Sequence, residues 1–124
     1  MRAAMLAAAR KFFAARTVLE VETPVLCAHG VTDPHITNIG VTLGKTLHWL
    51  RTSPEYHMKR LLAAGADAIY QFSRVFRNGE HGARHNPEFT MLEVYQAYGN
   101  YETMMDLTER VIVDAIGSRS ACSA

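Results

Sequence analysis

Residues 76–95 read FRNGEHGARHNPEFTMLEVY, and the two halves of this stretch ask for different backbones. Residues 77–87 are polar, broken by Gly79 and Gly82 and closed by Pro87, so they read as a loop. Residues 68–76 before it and 88–97 after it are rich in aromatic and branched side chains and read as strands. Together they predict an antiparallel hairpin with a long loop. Such loops in compact domains are usually functional. This one carries Arg77, Arg84, His81, His85, Glu80 and Asn86, a set suited to a charged partner. In the second strand Phe89, Met91, Glu93 and Tyr95 alternate onto one face. A carboxylate between an aromatic ring, a thioether and a phenol is costly to bury without a cation. At about 3.3 Å per residue, Phe89 and Glu93 stand about 13 Å apart. A planar base fits one end of that face and an ammonium group the other.

Upstream, Ser53-Pro54-Glu55 predicts a helix start: Ser53 caps free N–H groups, Pro54 takes the first helical position, and Glu55 faces the positive dipole end. The helix stops at Gly65, a good residue just past a C-terminus. Residues 36–51 suggest two short strands around Gly40 to Gly44, residues 27–35 a loop, and residues 18–21 a short strand closed by Thr23-Pro24. Residues 2–16 combine strong helix formers with Met5, Leu6, Ala9, Phe12 and Phe13 near one side. Downstream, Asn100 caps a helix of about 16 residues ending near Gly117, and the tail SRSACSA reads as structureless.

The whole chain has 124 residues, 48% hydrophobic and 20% charged. That composition is globular and argues against disorder. Its formal net charge of +1 advertises neither a nucleic-acid nor a membrane surface. The longest apolar run, residues 3–9, is far below the ~18 residues that a membrane span needs. Cys27 and Cys122 lack a CxxC spacing and read as free thiols. The Arg-rich, acid-poor opening resembles a transit peptide, yet it lacks serine and runs straight into a patterned segment, so it reads as structural. His81 and His85 have an H-x3-H spacing without further ligands nearby, so no metal site is read there. Gly44-Lys45-Thr46 follows Gly40 by one residue too few for a P-loop.

The segment from Phe76-Arg77-Asn78-Gly79-Glu80 through Arg84-His85-Asn86-Pro87-Glu88-Phe89-Thr90-Met91-Leu92-Glu93 resembles motif 2 of the class II aminoacyl-tRNA synthetases, and HNPEFTMLE is similar to their lysine branch. Leu19-Glu20-Val21-Glu22-Thr23-Pro24 resembles motif 1. Residues 52–62, TSPEYHMKRLL, resemble the elongation factor P lysyltransferases, which are lysyl-tRNA synthetase paralogues. The resemblance covers residues 2–116. It implies an α+β fold: a partial class II catalytic domain, with an antiparallel sheet flanked by helices. Residues 1–117 are then its N-terminal part, residues 118–124 an unstructured tail, and residues 2–24 the surface of a homodimer.

The chemistry implied is attack of lysine or β-lysine on the α-phosphate of ATP, with Mg2+, giving an aminoacyl-adenylate and pyrophosphate. The aminoacyl group then passes to a lysine of elongation factor P, in the cytoplasm. The alternatives are a catalytic fragment of lysyl-tRNA synthetase, with tRNA(Lys) as acceptor, or a non-catalytic fragment that binds a nucleotide or a partner. By resemblance, Arg77 is the catalytic contact to the α-phosphate. Asn78, Gly79, Glu80, His85 and Asn86 hold ATP with it, and Phe89 stacks on adenine. Ser53, Pro54 and Glu55 line the amino-acid site, and Glu93 and Tyr95 read the substrate's amino groups. A fixed guanidinium fork suits phosphate and a carboxylate suits ammonium.

Three departures stand out. Gly79 replaces the usual motif 2 glutamate, with Glu80 next door. Val94 stands where the lysyltransferases commonly have Trp, so that Val94-Tyr95-Gln96-Ala97-Tyr98 reads more like a lysyl-tRNA synthetase. No motif 3, the source of the arginine for the terminal phosphates, follows motif 2 within these residues, so a complete active site is not expected in them. Unpaired strand edges further predict aggregation or obligate dimerisation.

Overall fold

A computed structural model describes residues 1–79 and 82–117. The roles read for Glu80 and His81, the tail and Cys122 fall outside the described residues. In chain order the elements are α1 (Arg2–Ala14), β1 (Leu19–Glu20), β2 (Leu26–Cys27), β3 (Ile39–Leu43), β4 (Thr46–Leu50), α2 (Glu55–Ala63), β5 (Ala68–Phe76), β6 (Glu88–Gln96) and α3 (Tyr101–Gly117). They form two compact units. One holds residues 1–19 and those from 96 onward; the other holds residues 20–95.

In the first unit α1 packs on α3. The stripe expected on α1 is the one that is buried: Ala9, Phe12 and Phe13, the two rings meeting edge-on at 5.4 Å. The helix ends at Ala14, two residues earlier than expected. Thr17 takes a left-handed φ of 56°, and the Val18 N–H turns back to donate to the Phe13 carbonyl at 3.1 Å. That is the geometry of a helix C-terminal stop, reached here without glycine. At the start of α3 the Asn100 side chain accepts the Thr103 N–H at 2.9 Å, the cap expected from the sequence. Val111 is buried on α3, whereas Tyr101, Met105, Ile112 and Ile116 of the same helix are exposed.

The second unit carries two three-stranded sheets, ordered β1-β5-β6 and β2-β4-β3. In the second of these β4 is central, antiparallel to β3 (Val41 opposite His48) and to β2 (Cys27 opposite Trp49). Two residues link β3 to β4. Gly44, at φ 62°, supplies the left-handed first position that a tight hairpin turn of this kind requires. The expected loop over 27–35 therefore starts later, because Leu26 and Cys27 gain strand character by pairing with β4. In the other sheet β5 is central and paired along both edges. Ile69, Gln71, Ser73 and Val75 alternate onto one buried face, while on the opposite face Tyr70 is buried and Arg74 exposed. Each fully buried aliphatic side chain there is worth about 1.5–3 kcal/mol. The neighbouring β6 is an edge strand, only half-buried, and ends at Gln96 rather than 97.

The Arg77 N–H donates to the Pro87 carbonyl at 2.9 Å and closes the base of the long loop between β5 and β6, the hairpin that the sequence predicts. Helix α2 begins one residue later than expected. Pro54 is its cap rather than its first residue, and Ser53 Oγ accepts the Glu55 N–H at 3.0 Å. Gly65 ends it with φ 101°, and Met58 buries its inner face completely.

Candidate active site

The functional side chains converge because the end of β4 lies beside the middle of β6. Strand β4 runs out through Arg51 and the buried Thr52 into Ser53-Pro54-Glu55, while β6 presents its alternating face. Ser53 Oγ donates to Glu93 Oε1 at 2.7 Å, and the Tyr95 hydroxyl donates to Glu93 Oε2 at 2.9 Å. Both carboxylate oxygens are thus held by neutral hydroxyls. Among the described residues no Lys or Arg forms an ion pair with Glu93. Burial, followed by the hydrogen bond and charge of Glu93, pushes the Tyr95 phenol well above its ordinary value, so it stays a donor. Glu55 sits at the start of α2 and pairs with Lys59 one turn on; that contact raises the lysine pKa. Pro54 is fully buried and fixes the turn between them.

At the other end of the face the Arg77 guanidinium lies 5.2 Å from the Phe89 ring centroid, a cation–π pairing of a group suited to phosphate with a plane suited to a base. The Asn78 N–H donates to the Thr37 carbonyl at 2.9 Å, and its side chain accepts the Gly79 N–H at 2.9 Å. Gly79 has φ 77°, a left-handed conformation that disfavours the glutamate usual in this motif. His85 and Asn86 stay exposed on the loop, where Gly82 and His85 bridge each other through their backbones.

A cleft of about 230 Å³ opens beside Ser53 and Glu55, walled by Cys27, Gly30, Arg51 and Tyr56 among others. The sequence reading missed this wall. Its one available signal was Arg51, a lone charge closing the mostly apolar run TLHWL. Arg51 is 6% exposed and donates to the carbonyls of Arg74, Thr23 and Pro24 and to the Thr23 hydroxyl. Burial lowers its pKa, partly offset by Cys27, Glu22 and Glu93. Burial likewise pushes the free Cys27 thiol up, against the pull of Arg51. Among the described residues no three His, Cys, Asp or Glu side chains gather as a metal cage.

The family model for class II tRNA synthetases (D, K and N) matches residues 1–123. The chain belongs to this family. It is 58% identical over 104 residues to the elongation factor P–(R)-β-lysine ligase of Mannheimia succiniciproducens, covering 78% of this chain and 32% of that protein. To the ligase of the same name from Histophilus somni it is 46% identical over 127 residues, covering 97% and 39%. It thus spans 32% to 39% of the length of these curated relatives. The asparaginyl-tRNA synthetase of Pyrococcus horikoshii, solved with asparaginyl-adenylate, superposes with a TM-score of 0.84 at 20% identity, over 93% of this chain and 26% of that one. That likeness shows the fold: a partial class II catalytic domain of mixed α and β structure, as the motifs imply.

Proposed function

We propose that this family member supplies the amino-acid and nucleotide surfaces of an ATP-dependent ligase that activates lysine or β-lysine and passes it to a lysine of elongation factor P. The observation that carries this reading is Glu93: a half-buried carboxylate, oriented through both oxygens by Ser53 and Tyr95, with no cation of the described protein on it. A carboxylate fixed in this way, on which Arg51 and Lys59 act only at a distance without an ion pair, is complementary to a substrate ammonium. The names of the relatives, elongation factor P–(R)-β-lysine ligases, support the choice of substrate and acceptor.

In this reading Glu93, held by Ser53 at the edge of the cleft, and Glu55, which lines it, attract the amino groups. The substrate carboxylate is left free to attack the α-phosphate and displace pyrophosphate. The Arg77 guanidinium neutralises charge developing on that phosphate. For adenine to stack on Phe89 it must share that ring with Arg77, so the two residues form one nucleotide-binding surface with His85 and Asn86. The described residues do not by themselves gather the carboxylates of a magnesium site. The ligase acts in the cytoplasm as a homodimer through residues 2–24. Among the described residues no helix is long and apolar enough to cross a membrane.

A second reading rests on Val94. Where the lysyltransferases commonly carry Trp, this chain has a smaller residue in a stretch more like that of lysyl-tRNA synthetase, which makes tRNA(Lys) the rival acceptor. A fragment that only binds nucleotide or a partner is the non-catalytic alternative.

Calorimetric titration of lysine, β-lysine and ATP into the folded chain, beside lysine-dependent ATP–pyrophosphate exchange, tests the proposal. Saturable binding of lysine or β-lysine supports the site, and exchange supports the full reaction. A folded chain that binds neither amino acid sinks the reading. Labelled lysine that reaches only tRNA when both acceptors are offered selects the synthetase.

A further inference from the structure

Arg51 is buried, charged and bonded to no carboxylate. Its Nε donates to the Arg74 carbonyl at 2.8 Å, and its Nη1 donates to the Thr23 carbonyl at 2.7 Å, the Thr23 hydroxyl at 2.9 Å and the Pro24 carbonyl at 3.3 Å. Thr23 is itself buried, with its hydroxyl 2.9 Å from the Gln71 amide. The Arg51 backbone repeats the pattern: its N–H donates to the Val25 carbonyl and its carbonyl accepts the Phe76 N–H, each at 2.9 Å. A guanidinium satisfied only by neutral oxygens is a costly way to fill space. What it provides here is a rigid fork that fixes several bonds in different directions. One residue therefore ties the turn after β1 and the end of β5 to the end of β4.

The consequence lies one or two residues further along each strand. Phe76 is followed by Arg77, and Arg51 is followed by Thr52 and then Ser53, which holds Glu93. We infer that Arg51 is a positioning residue that sets the Ser53–Glu93 pair against Arg77, so that lysine affinity depends on its fork although it acts through Ser53 rather than as the ammonium ligand. This inference rests on the lysine reading of the site, deepens it, and has a readout of its own.

The test uses the whole chain as wild type, Arg51→Lys and Arg51→Gln, at a temperature where circular dichroism shows each folded. Lysine affinity is measured by calorimetry and amide hydrogen exchange by NMR. Both variants should lose about ten-fold or more in lysine affinity, because Lys keeps the charge but not the fork. Exchange should quicken at the Phe76 and Glu55 amides but not at Ala15, whose N–H donates to the Lys11 carbonyl in the first unit. Thr23→Val, which removes one acceptor and leaves the carbonyls, should give the same pattern in smaller size if the Arg51 variants do not fold. Lysine affinity within about threefold of wild type in folded variants, or exchange rising equally at Ala15 and Phe76, overturns the inference and leaves Arg51 a stability device. If the wild type binds no lysine, the functional reading is what fails. Selective exchange at Phe76 and Glu55 then upholds the positioning, and uniform exchange overturns it.

Discussion

Ser53 and Glu93 lie 40 residues apart in the sequence and meet at 2.7 Å, hydroxyl to carboxylate. The contact joins the turn that starts α2 to the middle of β6, and the other carboxylate oxygen is taken by Tyr95. Glu93 is consequently held in one orientation before any ligand arrives, which reduces what a bound ammonium must organise.

Removing that orientation should weaken lysine binding in steps. Ser53→Ala deletes one hydrogen bond to a charged group, worth about 1.5–3 kcal/mol, and should lower lysine affinity roughly ten-fold to a hundred-fold. Glu93→Gln keeps the shape and removes the charge, so lysine binding should fall below detection while the thermal midpoint stays close to wild type. Calorimetry on both variants checks this. A Glu93→Gln chain that binds lysine like wild type would show that the ammonium is read elsewhere.

The hairpin and its loaded face were legible in the sequence because period-two alternation and Gly/Pro punctuation are local signals. The Asn100 cap was legible for the same reason. Arg51 was not, because the direction of a side chain leaving a strand is set by the segments that receive it, here Thr23 and Arg74. Strand β2 was missed because a two-residue strand has no periodicity of its own and exists through its pairing with β4. Gln71 and Ser73 look like surface residues in sequence but are buried in the central strand β5. Their burial follows from the face they share with Ile69 and Val75, whose covering is set by tertiary packing rather than by the composition of one strand.

Tyr95 gives the fold a pH dependence at the alkaline end. Its phenol keeps its proton more tightly in the folded chain than in the unfolded one, where the value is 10.0. Above that pH the unfolded chain has lost a proton that the folded chain retains, so stability is complete below it and falls as pH rises beyond it. Thermal midpoints of wild type should therefore drop more steeply above about pH 10 than those of Tyr95→Phe. Parallel slopes for the two proteins would mean that the phenol is not perturbed.

Gly79 marks a departure from the family motif with a backbone reason. Its φ of 77° is left-handed, and no atom lies within 4 Å of where a Cβ would stand. Restoring the family residue with Gly79→Glu should meet backbone strain rather than a clash, costing about 1–2 kcal/mol. The price is confined to an exposed loop, so the thermal midpoint should move little while the loop changes conformation. Chemical shifts at Asn78 and Gly82 would report that change. Unaltered shifts at both would show that the loop accepts a side chain in its present form.

Helix α3 carries more apolar surface than its partner covers. Val111 is buried, but Tyr101 is 73% exposed, Met105 66% and Ile112 51%. At helical spacing Tyr101, Met105 and Ile112 fall on one stripe, and a contiguous exposed apolar stripe drives association. The chain should therefore self-associate as its concentration rises. Met105→Lys with Ile112→Lys should suppress that association. Because neither side chain is buried, thermal stability should change by no more than about 0.5 kcal/mol per site. Sedimentation velocity across a concentration series, alongside thermal melts, separates the two effects. A wild-type chain that sediments as one monomeric species throughout the series would show that the stripe is innocuous, and a double variant that unfolds would show that it is already covered.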